Sequence, residues 1–115
     1  MISRKHRFHG YGSLRHVYRT GSMARGPHFA IKAAPNPRRG SYRVAVVVSR
    51  KVDKSAVARN RIRRRLYELV REAEPQITRP YDIVITVFQN NILGISHREL
   101  KGQLKKQLKD SGIIK

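Results

Sequence analysis

The sequence predicts an α+β domain: one sheet with helices packed on it. Three observations lead there. Two short runs rich in valine and isoleucine, YRVAVVVS (Tyr42 to Ser49) and YDIVITVF (Tyr81 to Phe88), have the length and residue types of buried strands. Two longer segments, Lys54 to Glu74 and the stretch opening at Ser96, carry apolar residues at helical spacing. The segments follow one another as helix, strand, strand, long helix, strand, helix. The 115 residues are one domain's worth, and 39% hydrophobic residues supply its core.

Taken in order, Met1 to Gly12 is polar and basic (Arg4, Lys5, His6, Arg7, His9) and is expected to run extended over the surface, anchored by Phe8 and Ile2. Ser13 then caps a short helix with Leu14, Val17 and Tyr18 on one side, and Gly21 is expected to end it in the left-handed conformation. Ordinary core packing and a binding role are equally open for Leu14 and Tyr18. Ser22 to Pro27 reads as a loop. HFAIKAA (His28 to Ala34) reads as a strand with Phe29, Ile31 and Ala33 on one face, and Pro35 to Gly40 as a turn rich in breakers. The near-continuous valines after Tyr42 suggest burial on both faces of that strand. Pro75 to Pro80 is a connector and Gln89 to Ile95 a loop. Ser96 and Glu99 form a capping box opening the last helix, with Leu100, Leu104 and Leu108 as its buried stripe. Lys101, Lys105, Lys106 and Lys109 make its solvated face, and Gly112 its stop. Three visible strands make a thin sheet, so a short fourth is left open in the N-terminal half.

The long helix organises the chain. Ser55 can cap it, and Pro75 follows its end. Ile62, Leu66, Leu69, Val70 and Ala73 fall within a stripe roughly 100° wide. Opposite lie Asn60, Arg64, Tyr67 and Arg71, with Arg61 and Arg63 on the flanks. Arg59 falls near the edge of the apolar stripe, either at a frayed helix start or reaching along the sheet edge. Six arginines between Arg59 and Arg71 face one acid, Glu68. A solvated surface helix normally mixes signs, because like charges at i,i+4 repel. A polyanion would turn that repulsion into binding, and the planar guanidinium suits phosphate.

Whole-chain composition agrees: 26 Lys and Arg against 7 Asp and Glu give a net charge of +19. Such an imbalance points to nucleic acid. The chain has no cysteine, which excludes disulfides and thiolate metal sites and fits a reducing, cytoplasmic setting. No apolar run reaches membrane-spanning length and no signal peptide is evident. The five histidines (His6, His9, His16, His28, His97) are scattered, and Asp53 and Asp82 stand as single carboxylates. Glu68 and Glu72 have arginine neighbours and read as salt-bridge partners. With no paired acid and base, no zinc-ligand spacing and no phosphate-binding glycine loop, another molecule must supply any reactive groups.

One stretch carries more specific information. Arg43 to Arg65, RVAVVVSRKVDKSAVARNRIRRR, resembles the signature of the protein component of bacterial ribonuclease P: a hydrophobic strand ending in serine, a basic pair, then A-V-x-R-N-R and a further basic pair. The matching residues are Ser49, Arg50, Lys51, Ala56, Val57, Arg59, Asn60, Arg61, Arg63 and Arg64. Ser13 to Gly21, Tyr81 to Val84 and Leu100 to Leu108 are similar to the family's other elements.

The resemblance implies a four-stranded sheet in α-β-β-β-α-β-α order, with a left-handed crossover around the arginine helix, against the usual hand. It implies a ribonucleoprotein endonuclease that removes the 5′ leader of precursor tRNA. Its RNA subunit holds the Mg2+ and does the chemistry; the protein binds no cofactor and needs no obligate protein partner. By the same resemblance Arg50, Lys51, Lys54, Arg59, Asn60, Arg61, Arg63 and Arg64 bind the catalytic RNA, and Leu14, Tyr18, Lys32, Ser49 and Arg50 bind the leader. Three departures are visible: Leu14 and Lys32 stand where the family often has aromatics, and Asp53 where a glycine is common. Asp53 is expected to weaken local phosphate binding or to hold Lys54. The competing readings are a small ribosomal protein, which needs no leader cleft, and a DNA-binding module, which would offer base-reading side chains in place of a face of arginines.

Overall fold

The computed structural model describes residues 17–19 and 21–114. The N-terminal arm and Leu14 lie outside the described residues. After a helical turn at residues 17–19 come β1 (Ser22–Arg25), β2 (Phe29–Pro35), β3 (Arg43–Val48), the long helix α1 (Ala56–Ala73), β4 (Tyr81–Val87) and α2 (His97–Asp110), with single 3-10 turns at Glu74–Gln76 and Asn90–Gly94. The four strands form one mixed sheet in the order β1-β2-β4-β3. β1–β2 and β2–β4 are antiparallel, while β3 and β4 run parallel with α1 as the crossover between them.

The fourth strand is β1, SMAR, where the sequence read as a loop. Only Ala24 of its described side chains is buried, so no apolar alternation announced it. The valines of β3 do not mark a central strand. β3 is at the sheet edge, with Ala45 and Val47 half-buried, and β4 occupies the centre. The outward amide of Val46 donates to the Tyr67 hydroxyl of α1 at 3.2 Å, so the helix covers the edge that a lone strand would leave open.

α1 forms as its sequence dictates. Ser55 accepts from the Ala58 amide at 3.2 Å, satisfying one orphan donor of the first turn. Ile62, Leu66, Leu69, Val70 and Ala73 are all buried against Phe29, Ile31, Val44, Val46, Ile83 and Ile85 of the sheet. Each large aliphatic so buried contributes about 1.5–3 kcal/mol. α2 begins at Ser96, whose hydroxyl accepts from Glu99 N at 3.2 Å, and buries Leu100, Leu104 and Leu108 with Gln107. It ends in a Schellman motif: Gly112 has φ +83°, its amide reaches Lys109 O, and the Ile113 amide reaches Leu108 O, both at 3.0 Å.

Both helices lie on one face of the sheet. Val17, fully buried with Ala34 and Val84, covers part of the opposite face. Gly21 has no positive φ. Its need for glycine is spatial, since a Cβ there would meet Val17 O at 2.6 Å and Ala33 O at 3.0 Å.

Candidate nucleic-acid interface

The cationic face begins at the turn joining β3 to α1. Ser49 O accepts from Val52 N at 3.1 Å, and Asp53 Oδ1 accepts from Ser55 N at 2.9 Å. Asp53 thus holds the entry to the helix. Arg59 resolves the ambiguity of the helical wheel: its Nη1 reaches back to Asp53 O at 2.9 Å and Lys54 O at 3.1 Å. Around this turn Arg50, Lys51, Lys54, Asn60, Arg61 and Arg64 are exposed. Half-buried Arg63 donates to Asn60 Oδ1. The turn and the first half of α1 therefore carry all eight residues expected to bind the catalytic RNA, six of them exposed.

Two residues of α1 depart from the expected face. Tyr67, half-buried, packs against the core and spends its hydroxyl on β3, so it is not on the arginine surface. Arg65 donates through Nη1 to Ile92 O and through Nη2 to Ile95 O, tying the 90–95 segment to the helix. Farther along, Arg71 is paired with Glu68 at 3.1 Å, as its arginine neighbours suggested, whereas Glu72 faces His97 of α2 at 3.1 Å.

The second surface is the sheet face away from α1 and α2. Alternation puts Ala30, Lys32 and Ala34 of β2, Ala45 and Val47 of β3, and Val84 and Thr86 of β4 on this side. Val17 covers Ala34 and Val84. Ala30, Ala45, Val47 and Thr86 stay half-buried as a floor of small side chains. Tyr18 stands at one end, 43% exposed while its neighbour Val17 is fully buried. Lys32 Nζ donates to Tyr18 O at 2.6 Å and lies 5.8 Å from the Tyr18 ring centroid. The ammonium is held by a carbonyl and a ring, neither of which cancels its charge. Ser49 and Arg50 border the other end of the floor, one step past the Val48↔Val87 pairing. Lys32 and Ser49 thus share one face by strand parity, with Tyr18 held to it by Lys32 and Arg50 following in the turn at its end.

Asp82 is not the isolated carboxylate it seemed from sequence. It is buried and paired with Arg43, Nε to Oδ1 at 2.8 Å and Nη2 to Oδ2 at 2.7 Å, with Asn36 Nδ2 adding a bond at 3.0 Å. The strand register sets Arg43 directly beside Asp82. Glu74 accepts from the Tyr42 hydroxyl at 2.8 Å, and burial, then that bond, pushes the phenol well above its ordinary range. Among the described residues no group of three or more His, Asp or Glu could hold a metal ion, and no helix is long and apolar enough to cross a membrane.

Comparison with known proteins gives the family. The Ribonuclease P family profile matches residues 2–112. The chain belongs to the ribonuclease P protein family. Curated relatives agree: the ribonuclease P protein component of Picosynechococcus is 35% identical over 89 residues, covering 77% of this chain and 76% of that one. The Chloroflexus aurantiacus component is 32% identical over 113 residues, covering 98% of this chain and 82% of that one. A solved Staphylococcus aureus RNase P protein superposes with a TM-score of 0.83 at 20% identity, covering 96% of this chain and 98% of that one, which shows the shared fold. Membership places the chain in a tRNA-processing endoribonuclease built on RNA, and the ribosomal-protein alternative is not favoured.

The sequence reading missed two residues of the sheet face, Arg25 and Phe88. Arg25 lay in a segment read as loop. The sequence puts Phe88 at the end of a buried strand, yet β4 stops at Val87 and Phe88 is half-buried. Its parity with Val84 and Thr86 was the available signal.

Proposed function

We propose that this chain is the protein subunit of a ribonuclease P ribonucleoprotein whose RNA subunit does the chemistry. It holds that RNA with the arginine face of α1 and holds the 5′ leader of precursor tRNA across the open sheet face. The observation that carries the reading is the Tyr18–Lys32 pair: an exposed ring beside an ammonium whose charge is uncancelled, at the end of a floor of small side chains. A ring stacks on any base and an ammonium meets any phosphate, so the surface takes a single strand without reading its sequence. Mature tRNA lacks the leader and leaves this face empty.

The acids of the chain support leaving the magnesium ions with the RNA. Asp53, Glu68, Glu72, Glu74 and Asp82 each face an internal donor. The protein's part is electrostatic: its cations neutralise RNA phosphates and lower the magnesium needed to bring enzyme and substrate together, an effect that fades as salt rises. A cytoplasmic setting and the lack of an obligate protein partner belong to the same reading.

The test is reconstitution. Protein added to ribonuclease P RNA and a precursor tRNA at low magnesium should raise cleavage at the mature 5′ end, less so at high salt. Tyr18→Ala should weaken precursor binding about five-fold or more, leaving mature tRNA binding and the denaturation midpoint unchanged. Absence of stimulation across a magnesium titration would overturn the subunit reading. A lowered midpoint with equal losses for both RNAs would make Tyr18 a packing residue and route the leader elsewhere.

A further inference from the structure

Arg25 and Phe88 stand outside every contact assigned so far. Exposed on the edge strand β1, Arg25 holds its guanidinium carbon 4.6 Å from the Phe88 ring centroid. Among the described residues no carboxylate is paired with it. An exposed arginine is ordinarily either mobile or fixed by an acid that cancels its charge. A ring fixes the guanidinium by cation–π attraction and leaves its charge and its donors unspent.

The strand register puts both residues on the open face. Arg25 pairs with Ala30 and Met23 with Lys32, while buried Ala24 between them points to the core. Phe88 N donates to His28 O at 3.1 Å, extending the β2–β4 ladder one step beyond Phe29↔Val87. On its other side the parallel register sets Phe88 beside Ser49, one step beyond Val48↔Val87. Four positions of β2 separate Lys32 from this row, a rise of roughly 13 Å. The floor between is Ala30, Ala45, Val47 and Thr86, all short, so these side chains leave room for a nucleotide strand laid from one end to the other. Aromatic rings and guanidinium planes are the two side-chain surfaces on which unpaired bases stack.

We propose that Arg25 and Phe88 form a second stacking position for the leader, at the far end of the floor from Tyr18. This rests on the leader reading above and deepens it: the sheet face grips the strand at two places, a floor's length apart. One base stacks on the Arg25–Phe88 pair, and the unspent guanidinium donors take a neighbouring phosphate.

The experiment uses the reconstituted holoenzyme with mature tRNA and with precursors whose leaders are shortened one nucleotide at a time. Phe88→Ala should weaken binding of the longest-leader precursor about five-fold or more, spare mature tRNA, and be rescued by Phe88→Trp. Shortening the leader should erase the Phe88→Ala penalty and the Tyr18→Ala penalty at different lengths. If Phe88→Ala binds the longest precursor as the wild type does while Tyr18→Ala is impaired, the leader leaves the floor before Phe88 and the second position is wrong. If neither variant is impaired, the leader reading itself fails. Equal losses for all RNAs with a lowered denaturation midpoint would make Phe88 a packing residue and also overturn the proposal. Should Phe88→Ala fail to fold, Arg25→Ala, exposed on an edge strand, supplies the same comparison.

Discussion

Arg61, Arg64 and Arg65 are near neighbours on one helix, yet they have different work. Arg61 and Arg64 are exposed, whereas Arg65 is half-buried with two nitrogens on the carbonyls of Ile92 and Ile95. We expect Arg61→Ala and Arg64→Ala each to flatten the salt dependence of RNA binding by roughly one unit, with an unchanged denaturation midpoint. Arg65→Ala should do the reverse: a lower midpoint, about 1–3 kcal/mol for the Ile95 carbonyl left without Arg65, and a preserved salt slope, while the Ile92 carbonyl keeps the Ile95 amide. An unchanged slope in both exposed variants would remove α1 from the RNA interface. Asp82 makes a second case. Asp82→Ala removes the carboxylate that the buried Arg43 guanidinium is paired with and should cost about 3–5 kcal/mol in chemical denaturation, far more than loss of the exposed Glu68–Arg71 pair. Equal, small losses for the two pairs would show that water reaches Arg43.

Elements were legible where burial and local chemistry agreed. All five stripe residues of α1 are buried, and both serine caps accept the amides expected of them. What the sequence hid was which neighbour stands beside each element. A helical wheel gives the angle of Tyr67 and Arg65 but not that β3 lies on one flank and the 90–95 segment on the other. Alternating valines look the same in an edge strand as in a central one, so the position of β3 depended on how β4 paired. β1 was invisible because its partner strand, more than its own residues, makes it a strand. The candidate site followed the same division: the motif around Arg59–Arg64 was readable, while Arg25 and Phe88 meet only once the sheet is built. Gly21 illustrates how tightly the helical turn at 17–19 sits on that sheet. Gly21→Ala drives a methyl against two backbone oxygens, so we expect it to push the turn off β2 and pull Tyr18 from Lys32. Although Gly21 need not touch RNA, precursor binding should suffer more than mature tRNA binding, together with a lower midpoint. A normal precursor-to-mature ratio in a folded variant would separate the turn from the leader.

At the scale of the whole molecule, charge decides behaviour. The net charge of +19 leaves a strong positive field whichever acids are paired, because each internal ion pair removes one cation together with one anion. No constellation of described residues suggests hydrolysis, so we expect the protein alone, freed of contaminating nuclease, to leave precursor tRNA intact. Cleavage by RNA-free protein that survives repurification would contradict this. Finally, α1 is both the arginine surface and the connection that must close before β3 and β4 can lie side by side. Non-local parallel pairing is slow, since chain entropy is lost before the contacts form. Here the closing segment also carries mutually repelling cations, which weaken the isolated helix on which closure depends. Any agent that screens those cations should therefore speed refolding, and a chain newly made beside its RNA should finish its sheet sooner than one folding in isolation.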